Sequence, residues 1–302
     1  MPACNGVQLV PEAAAVRAAR AAVRALTKRR GANFALGFRL LPPAKRRAVY
    51  AAYAACRVPD DIVDETASGA DAGELGARLD EWAAEIEATY AGHPGTSVTR
   101  ALAEVLRDFP IPRQALLGLV EGCRMDLQRS RYASFAELAR YCDLVAVTIS
   151  EISLAIFGLV REEGRALGRY LALALQLTNI CRDVHEDLGR GRIYLPEDEM
   201  AAFGVTAGDL QSGRVDTPAY RALMAFQCRR ARAHFAAANT LPDCLAGDSR
   251  AAVRVMGGVY RRILDRIARD PVAAFHRRVE LSPGQRWWAV ASGLCGRPFV
   301  PA

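Results

Sequence analysis

A single all-α domain is the fold class the sequence predicts, and three observations predict it. Alanine, leucine and arginine dominate the chain in runs with helical spacing, and few stretches alternate as strands do. No linker, low-complexity segment or repeat period interrupts the 302 residues, so 1–302 reads as one domain. The 51% hydrophobic content supplies ample material for one large core.

Taken in order, residues 11–29 form the first expected helix. Residues 13–30 carry arginines and alanines without an acid, as organellar presequences do, but an amphipathic first helix explains them equally and is preferred. A glycine-bearing stretch from Gly31 leads to Pro42 and Pro43, and Pro43 suits the first turn of a helix. That helix turns Val49, Tyr53, Cys56 and Ile62 or Val63 inward and delivers Asp60, Asp61 and Asp64 as a tight group. Asp60 and Asp64 are one turn apart, so they repel. They also lie near a helix C-terminus, the wrong end for anions in the helix dipole. A bound cation removes both objections; a loop-entry cluster before Thr66, Ser68 and Gly69 is the plainer alternative.

Pro59 stands directly before the pair and should kink or end the helix there. Further helices are expected over 71–92, 96–108 and 113–129, the last carrying Asp126 on an apolar background. Ser134 with Glu137 forms a capping box for one long helix from Phe135 to Gly158, in which Glu151 is read as a satisfied core acid rather than a cavity-lining one.

Leu171 to Pro196 organises the rest. Leu171, Leu173, Leu175, Leu177, Ile180 and Val184 leave no ordinary solvated face, yet Gln176, Asn179, Asp183 and Asp187 stack as one polar stripe. Such a stripe on a buried helix costs free energy unless something inside binds it. Carboxylates one turn apart beside amides suit a hard cation with oxygen ligands. Gly189 and Gly191 stop the helix, and the interleaved Arg190 and Arg192 would sit near whatever anion that cation holds. A solvated acidic face paired with arginines is the bland reading of DxxED alone. Beyond it lie a short helix and polar loop over 197–218, helices over 219–239 and 249–269, and a tail with Trp287 and Trp288; the bundle comprises about ten helices.

The formal charge of +7 and pI near 9.1 favour an acidic partner. Basic residues come in scattered pairs with no zinc-finger, helix-turn-helix or RNP-like text, so no nucleic-acid partner is expected, leaving a phosphorylated substrate and loose, peripheral contact with anionic lipid. Eight cysteines without a CxxC fit a reducing, cytoplasmic setting, and the four histidines lack zinc spacing. No window approaches the roughly 18 apolar residues of a membrane span.

Several motifs, in this order, resemble the squalene/phytoene synthase family: Phe34 with Arg39-Leu-Leu-Pro, Tyr53 with Arg57-x-x-Asp60-Asp61-x-x-Asp64-Glu65, Tyr141-Cys142 with Val145-Ala146, Gln176-Leu-Thr-Asn179-Ile-x-Arg182-Asp183-x-x-Glu186-Asp187, and Arg192-Ile-Tyr194-Leu195-Pro196. The match covers a catalytic core of roughly residues 29–280. The resemblance implies the isoprenoid-synthase helical bundle with a central cavity and the head-to-head condensation of two prenyl diphosphates.

It further implies two or three Mg²⁺ ions held by Asp60, Asp64, Asp183 and Asp187, with Asp61 beside them. Phosphate contacts would come from Arg57, Arg182 and Arg192. Asn179 and Gln176 would position water or the reacting carbons, and Phe34 would belong to the substrate site. Tyr53, Tyr141 and Tyr260 match family positions near the reacting centres and would steady cations through ring faces. Farnesyl diphosphate and a C30 product of presqualene or squalene type are the preferred expectation, on the local text of the bacterial squalene-type branch. Geranylgeranyl diphosphate and phytoene are the alternative. A non-catalytic assembly relative is disfavoured because both acidic motifs are intact, and a one-substrate terpene cyclase because its second motif differs. NADPH use carries no readable fingerprint, and the sequence leaves the oligomeric state open. Asn33, Val147 and Ser150 depart from residues frequent in relatives, which bears on accepted chain length.

Overall fold

The computed structural model of the chain describes residues 36–65 and 69–300. Phe34, Asn33 and the expected first helix lie outside the described residues. From Pro43 onward the chain is a succession of helices: α1 (Pro43–Asp64), α2 (Ala72–Tyr90), α3 (Ser97–Leu106), α4 (Arg113–Gln128) and α5 (Phe135–Cys142). A π-helical turn (Asp143–Val147) joins α5 to α6 (Thr148–Phe157), and α7 (Gly164–Arg182) and α8 (Val184–Gly189) follow. The remainder is α9 (Glu197–Ala202), α10 (Ala207–Gln211), α11 (Pro218–Ala237), a 3₁₀ turn (Leu241–Cys244), α12 (Gly247–Arg269), α13 (Pro271–His276) and α14 (Pro283–Leu294). Among the described residues the only extended pairing is an isolated bridge between Leu159 and Leu245, as the all-α reading requires.

Helix α7 runs through the centre, packed between α11 and α12 with α6 alongside. Its buried residues include Leu171, Leu173, Ala174, Leu177, Thr178 and Ile180, while Leu175, Gln176 and Asn179 stay half-buried on one side. The polar stripe therefore lies on a partly exposed side of the helix while the opposite side is core. Across the bundle α1 packs on α3, α4 and α6, with Ala48, Ala51, Ala52 and Ala55 buried; the alanines let these helices approach closely.

Five expectations need correction. The helix does not end at Pro59: α1 runs on to Asp64 with Pro59 buried inside it, because the buried Ile62 and Val63 beyond it pin the last turn. The missing N–H of proline removes one backbone bond but not the packing. The single helix from Phe135 to Gly158 is in fact two helices joined by the π turn. Gly122 of α4 packs there so closely that a Cβ would lie 2.7 Å from Val145 Cγ1. Ser134 Oγ accepts the Glu137 N–H at 3.4 Å, but Glu137 answers one residue too far back, on the Ala133 N–H at 3.0 Å, so the box is not closed on Ser134. Glu151 is exposed, which rules out the core reading. Fourteen α-helices occur among the described residues rather than about ten, the excess being short pieces such as α9, α10 and α13.

Candidate active site

The first acidic group sits on the last turns of α1. Asp60, Asp61 and Asp64 each present a carboxylate oxygen within 4.8 Å of the other two. Arg57, one turn earlier, donates to Asp60 and, at 2.5 Å, to Asp61. Burial raises the pKa of Asp60, and repulsion from Asp64 and Asp61 adds to this against the pull of Arg57 and Arg190. Its side chain nonetheless keeps 45% exposure: protein surrounds the carboxylate, but the site is open on one side to an ion or an anionic ligand.

The second group follows from how α7 ends. Asp183 caps the helix with φ −103° and ψ 14°, so the stripe is not one continuous helix as expected. The pitch survives the break, because the Asp183 N–H donates to Asn179 O at 2.8 Å and the Asp187 N–H to Asp183 O at 2.9 Å. The buried Arg182 grips Asp183 with Nε at 2.7 Å and Nη2 at 2.5 Å. Its guanidinium is thus committed to holding this carboxylate, and it also touches the buried Tyr260, whose hydroxyl burial holds above the ordinary tyrosine range. Arg278 adds a contact to Asp183 at 3.8 Å and pairs with Glu186 at 2.7 Å. Burial pushes Asp187 up to about 7, with Asp183 repelling its charge and Arg190 and Arg192 opposing the shift. Asn179 donates to Gln176 at 3.4 Å, which leaves its buried Oδ1 with no hydrogen-bond partner.

Arg190 ties the halves together: its Nη1 lies 3.5 Å from Asp64 Oδ1, so the loop after the second motif reaches the first. Deeper in, α4 contributes Asp126. Tyr194 donates to its Oδ1 at 2.7 Å and Tyr141 to its Oδ2 at 2.9 Å, with Arg192 Nη1 at 4.0 Å. The rings of Tyr132, Tyr141 and Tyr194 lie 5.2–5.8 Å apart, centroid to centroid. Burial pushes Asp126 up to about 6 against the pull of Arg192 and the two hydroxyls. Tyr53, half-buried on α1, stands edge-on to Phe38 at 6.5 Å, and burial pushes its hydroxyl up to about 12.

The structure thus gathers Arg57, Asp60, Asp61 and Asp64 at one place and Gln176, Asn179, Arg182, Asp183, Asp187 and Tyr260 at another. Tyr141 and Arg192 converge on Asp126, each with less than a tenth of its surface exposed. Asp126 itself is the residue sequence reasoning undervalued, although a lone acid on an apolar helix face was the available signal. Arg278 had none.

The carboxyls make stability depend on pH in a defined sense. Asp126 and Asp187 hold protons more readily folded (pKa about 6 and about 7) than unfolded (near 3.8), so their contribution falls as pH rises from about 4 through 7. In EDTA, thermal unfolding is expected to show this decline between pH 5 and pH 8, and Asp187→Asn to flatten part of it. A variant whose melting temperature tracks wild type across that range would contradict the assignment.

Solved structures share this fold. The solved dehydrosqualene synthase in complex with ligand superposes with a TM-score of 0.83 over 93% of this chain and 96% of that one, at 26% identity. The squalene synthase HpnC from Alicyclobacillus acidocaldarius gives 0.77 over 84% and 94%, at 30% identity. Fold and acidic motifs together define an all-α isoprenoid synthase, a prenyl-transferring enzyme. The chain belongs to the squalene/phytoene synthase family, whose description its residues 27–285 match. A phytoene synthase from Arthrospira platensis is 40% identical over 272 residues, covering 84% of this chain and 85% of that one. Head-to-head condensation of prenyl diphosphates is the reaction type that goes with this membership.

Proposed function

We propose that the protein joins two molecules of geranylgeranyl diphosphate head to head, giving phytoene, at the interior faced by α1 and the α7–α8 junction. The observation that carries the site is the 3.5 Å approach of Arg190 to Asp64, which makes the two acidic motifs one polar mouth. The identity to the Arthrospira platensis phytoene synthase supports the C20 substrate, in preference to the C15 expectation. A second reading, farnesyl diphosphate to a C30 product, is favoured by the fold likeness to the dehydrosqualene synthase.

Mg²⁺ fits the residues present. Three carboxylates crowd within 4.8 Å, burial and a like charge push Asp187 up to about 7, and the buried Asn179 Oδ1 has no hydrogen-bond partner. Asp60, Asp61 and Asp64 on one side and Asp183 and Asp187 on the other would hold two or three such ions. When bound, the metal supplies Lewis-acid neutralisation of the departing diphosphate.

The chain's own groups do the rest. Arg57 holds the first carboxylates in register, and Arg182 fixes the rotamer of Asp183. Arg190 and Arg278, both partly exposed at the mouth, are placed to receive phosphate oxygens in their guanidinium forks. The apolar interior excludes water from the allylic cation formed as diphosphate leaves, so that the double bond of the second substrate captures it first. The faces of Tyr53 and Tyr260 steady the positive charge. A first proton loss then closes a cyclopropylcarbinyl diphosphate, whose own ionisation releases the second diphosphate, and the route to phytoene ends in a second proton loss with no reductant such as NADPH. No helix among the described residues is long and apolar enough to cross a membrane. Contact with the bilayer that receives the hydrocarbon is read as peripheral and, on the cysteine pattern and the basic charge, from the cytoplasmic side.

The test is incubation of the pure protein with Mg²⁺ and either diphosphate, with and without NADPH, and identification of the hydrocarbon. A C40 product from the C20 substrate alone, abolished by EDTA, is expected. A C30 product moves the assignment to the second reading, and no product from either removes both.

A further inference from the structure

Helix α14 has the wrong face outward. Its inner side is small: Ala289 and Gly293 are buried, and a Cβ on Gly293 would lie 2.5 Å from Val255 Cγ2 of α12. Its outer side carries Gly284, Trp287, Trp288, Ala291 and Leu294, at i, i+3, i+4, i+7 and i+10, all exposed and none charged. Trp287 is 75% exposed, Trp288 53% and Leu294 59%. Half of the six large hydrophobic side chains exposed among the described residues therefore belong to this one short helix. Scattered exposed hydrophobes need no explanation, whereas a stripe of them does.

The stripe is bordered by positive charge. Arg297 lies over the Trp288 ring, 5.2 Å from its centroid. Beside the first turn of α14 opens a recess of about 400 Å³, lined by Arg266, Arg269, Arg277 and Arg278 together with Ser282 and Gln285 of α14's own start. Arg266 donates to Glu280 O and Gln285, and Arg278 turns toward Glu186 and Asp183 at the catalytic mouth, so neither is assigned to this face. Arg269 and Arg277 are exposed and make no ion pair or side-chain hydrogen bond with another described residue. Between Arg266 and Val300 six arginines, Arg297 among them, face only two acids, Glu280 and the recess-lining Asp270.

We propose that this face docks the protein on an anionic phospholipid bilayer. Trp287, Trp288 and Leu294 enter the interfacial layer, and Arg269 and Arg277 receive lipid phosphates at the recess. Tryptophan suits that depth, because its ring is apolar and its N–H still finds a partner at the headgroups. Charge selects lipid over a second copy of the chain: a two-fold contact would set one arginine-lined recess against another, whereas a negative membrane surface complements both. The assignment gives a place to the peripheral contact named above. It is read without substrate, so its failure leaves the catalytic reading untouched.

The experiment uses the full chain with vesicles of phosphatidylcholine alone or containing phosphatidylglycerol. Of the three tryptophans Trp82 is buried, so emission reports mainly on Trp287 and Trp288. A blue shift and co-sedimentation with the anionic vesicles, weakened by salt, are expected. Trp287→Ser with Trp288→Ser should lower partitioning about tenfold, while Arg269→Glu with Arg277→Glu should abolish the preference for phosphatidylglycerol. Equal sedimentation of the tryptophan variant and wild type overturns the proposal, as does absence of binding to either vesicle. So does a dimer in analytical ultracentrifugation that the tryptophan variant dissociates, which assigns the face to a second copy. Iodide failing to quench the vesicle-free protein assigns it instead to cover by the chain itself, for example by its first 35 residues, and equally overturns the proposal.

Discussion

Asparagine at position 60 or at position 183 is expected to lower turnover about 10²–10³-fold while leaving the fold intact, the cost of losing one preorganised electrostatic group. The two substitutions remove different things. Asp60 keeps an open side and belongs to the crowded group on α1, so Asp60→Asn removes a direct oxygen ligand and relieves the repulsion from Asp61 and Asp64. The stability of metal-free protein should therefore hold or rise slightly. Asp183 is gripped by Arg182 through two hydrogen bonds, and Asp183→Asn leaves the buried guanidinium half-satisfied. A loss of stability should accompany its loss of activity. Circular dichroism with steady-state kinetics at saturating Mg²⁺ separates the two. Full activity in both variants would mean that the acids are ordinary charged surface. A weakened apparent Mg²⁺ affinity in Asp60→Asn, recovered in part at high Mg²⁺, is the finer expectation.

How far the sequence revealed this site depended on how local each feature is. The helix-spaced stripe of Gln176, Asn179, Asp183 and Asp187 was legible because periodicity is a one-dimensional property, and it survives the break at Asp183 since the i→i+4 bonds continue through it. The Asp60 group was legible for the same reason. Pro59 misled because a propensity argument counts the lost backbone bond and not the buried Ile62 and Val63 that hold the following turn. The π turn was invisible, since its five residues differ from an α-helix only by an extra residue accommodated against Gly122. Contacts across long sequence separations were the least legible: Arg278 on Asp183, Arg190 on Asp64, and Tyr141 and Tyr194 on Asp126 follow only from how the helices pack.

Asp126 is where that packing carries the most energy, and Asp126→Leu is expected to be the most destabilising single change among the residues of the site. The leucine would strip two tyrosine hydroxyls of their acceptor and leave Arg192, whose side chain is only 8% exposed, beside an apolar group. Breaking one side of a buried charged cluster costs about 3–5 kcal/mol, which in a chain of this size lowers the melting temperature by roughly 10 °C. Asparagine keeps an acceptor and should cost much less. Because burial pushes Asp126 up to about 6, ionising it already weighs against the fold at higher pH. The amide of the asparagine variant cannot ionise, so the deficit of Asp126→Asn relative to wild type should shrink between pH 5 and pH 8. Tyr141→Phe and Tyr194→Phe each remove one donor, and the ionised carboxylate should notice each loss by about 1–2 kcal/mol. Thermal melts of the four variants at both pH values test the whole account. If Asp126→Leu melted with wild type, the tyrosines and Arg192 would not be organised by this carboxylate, and the link between α4 and the second motif would have to run through packing alone.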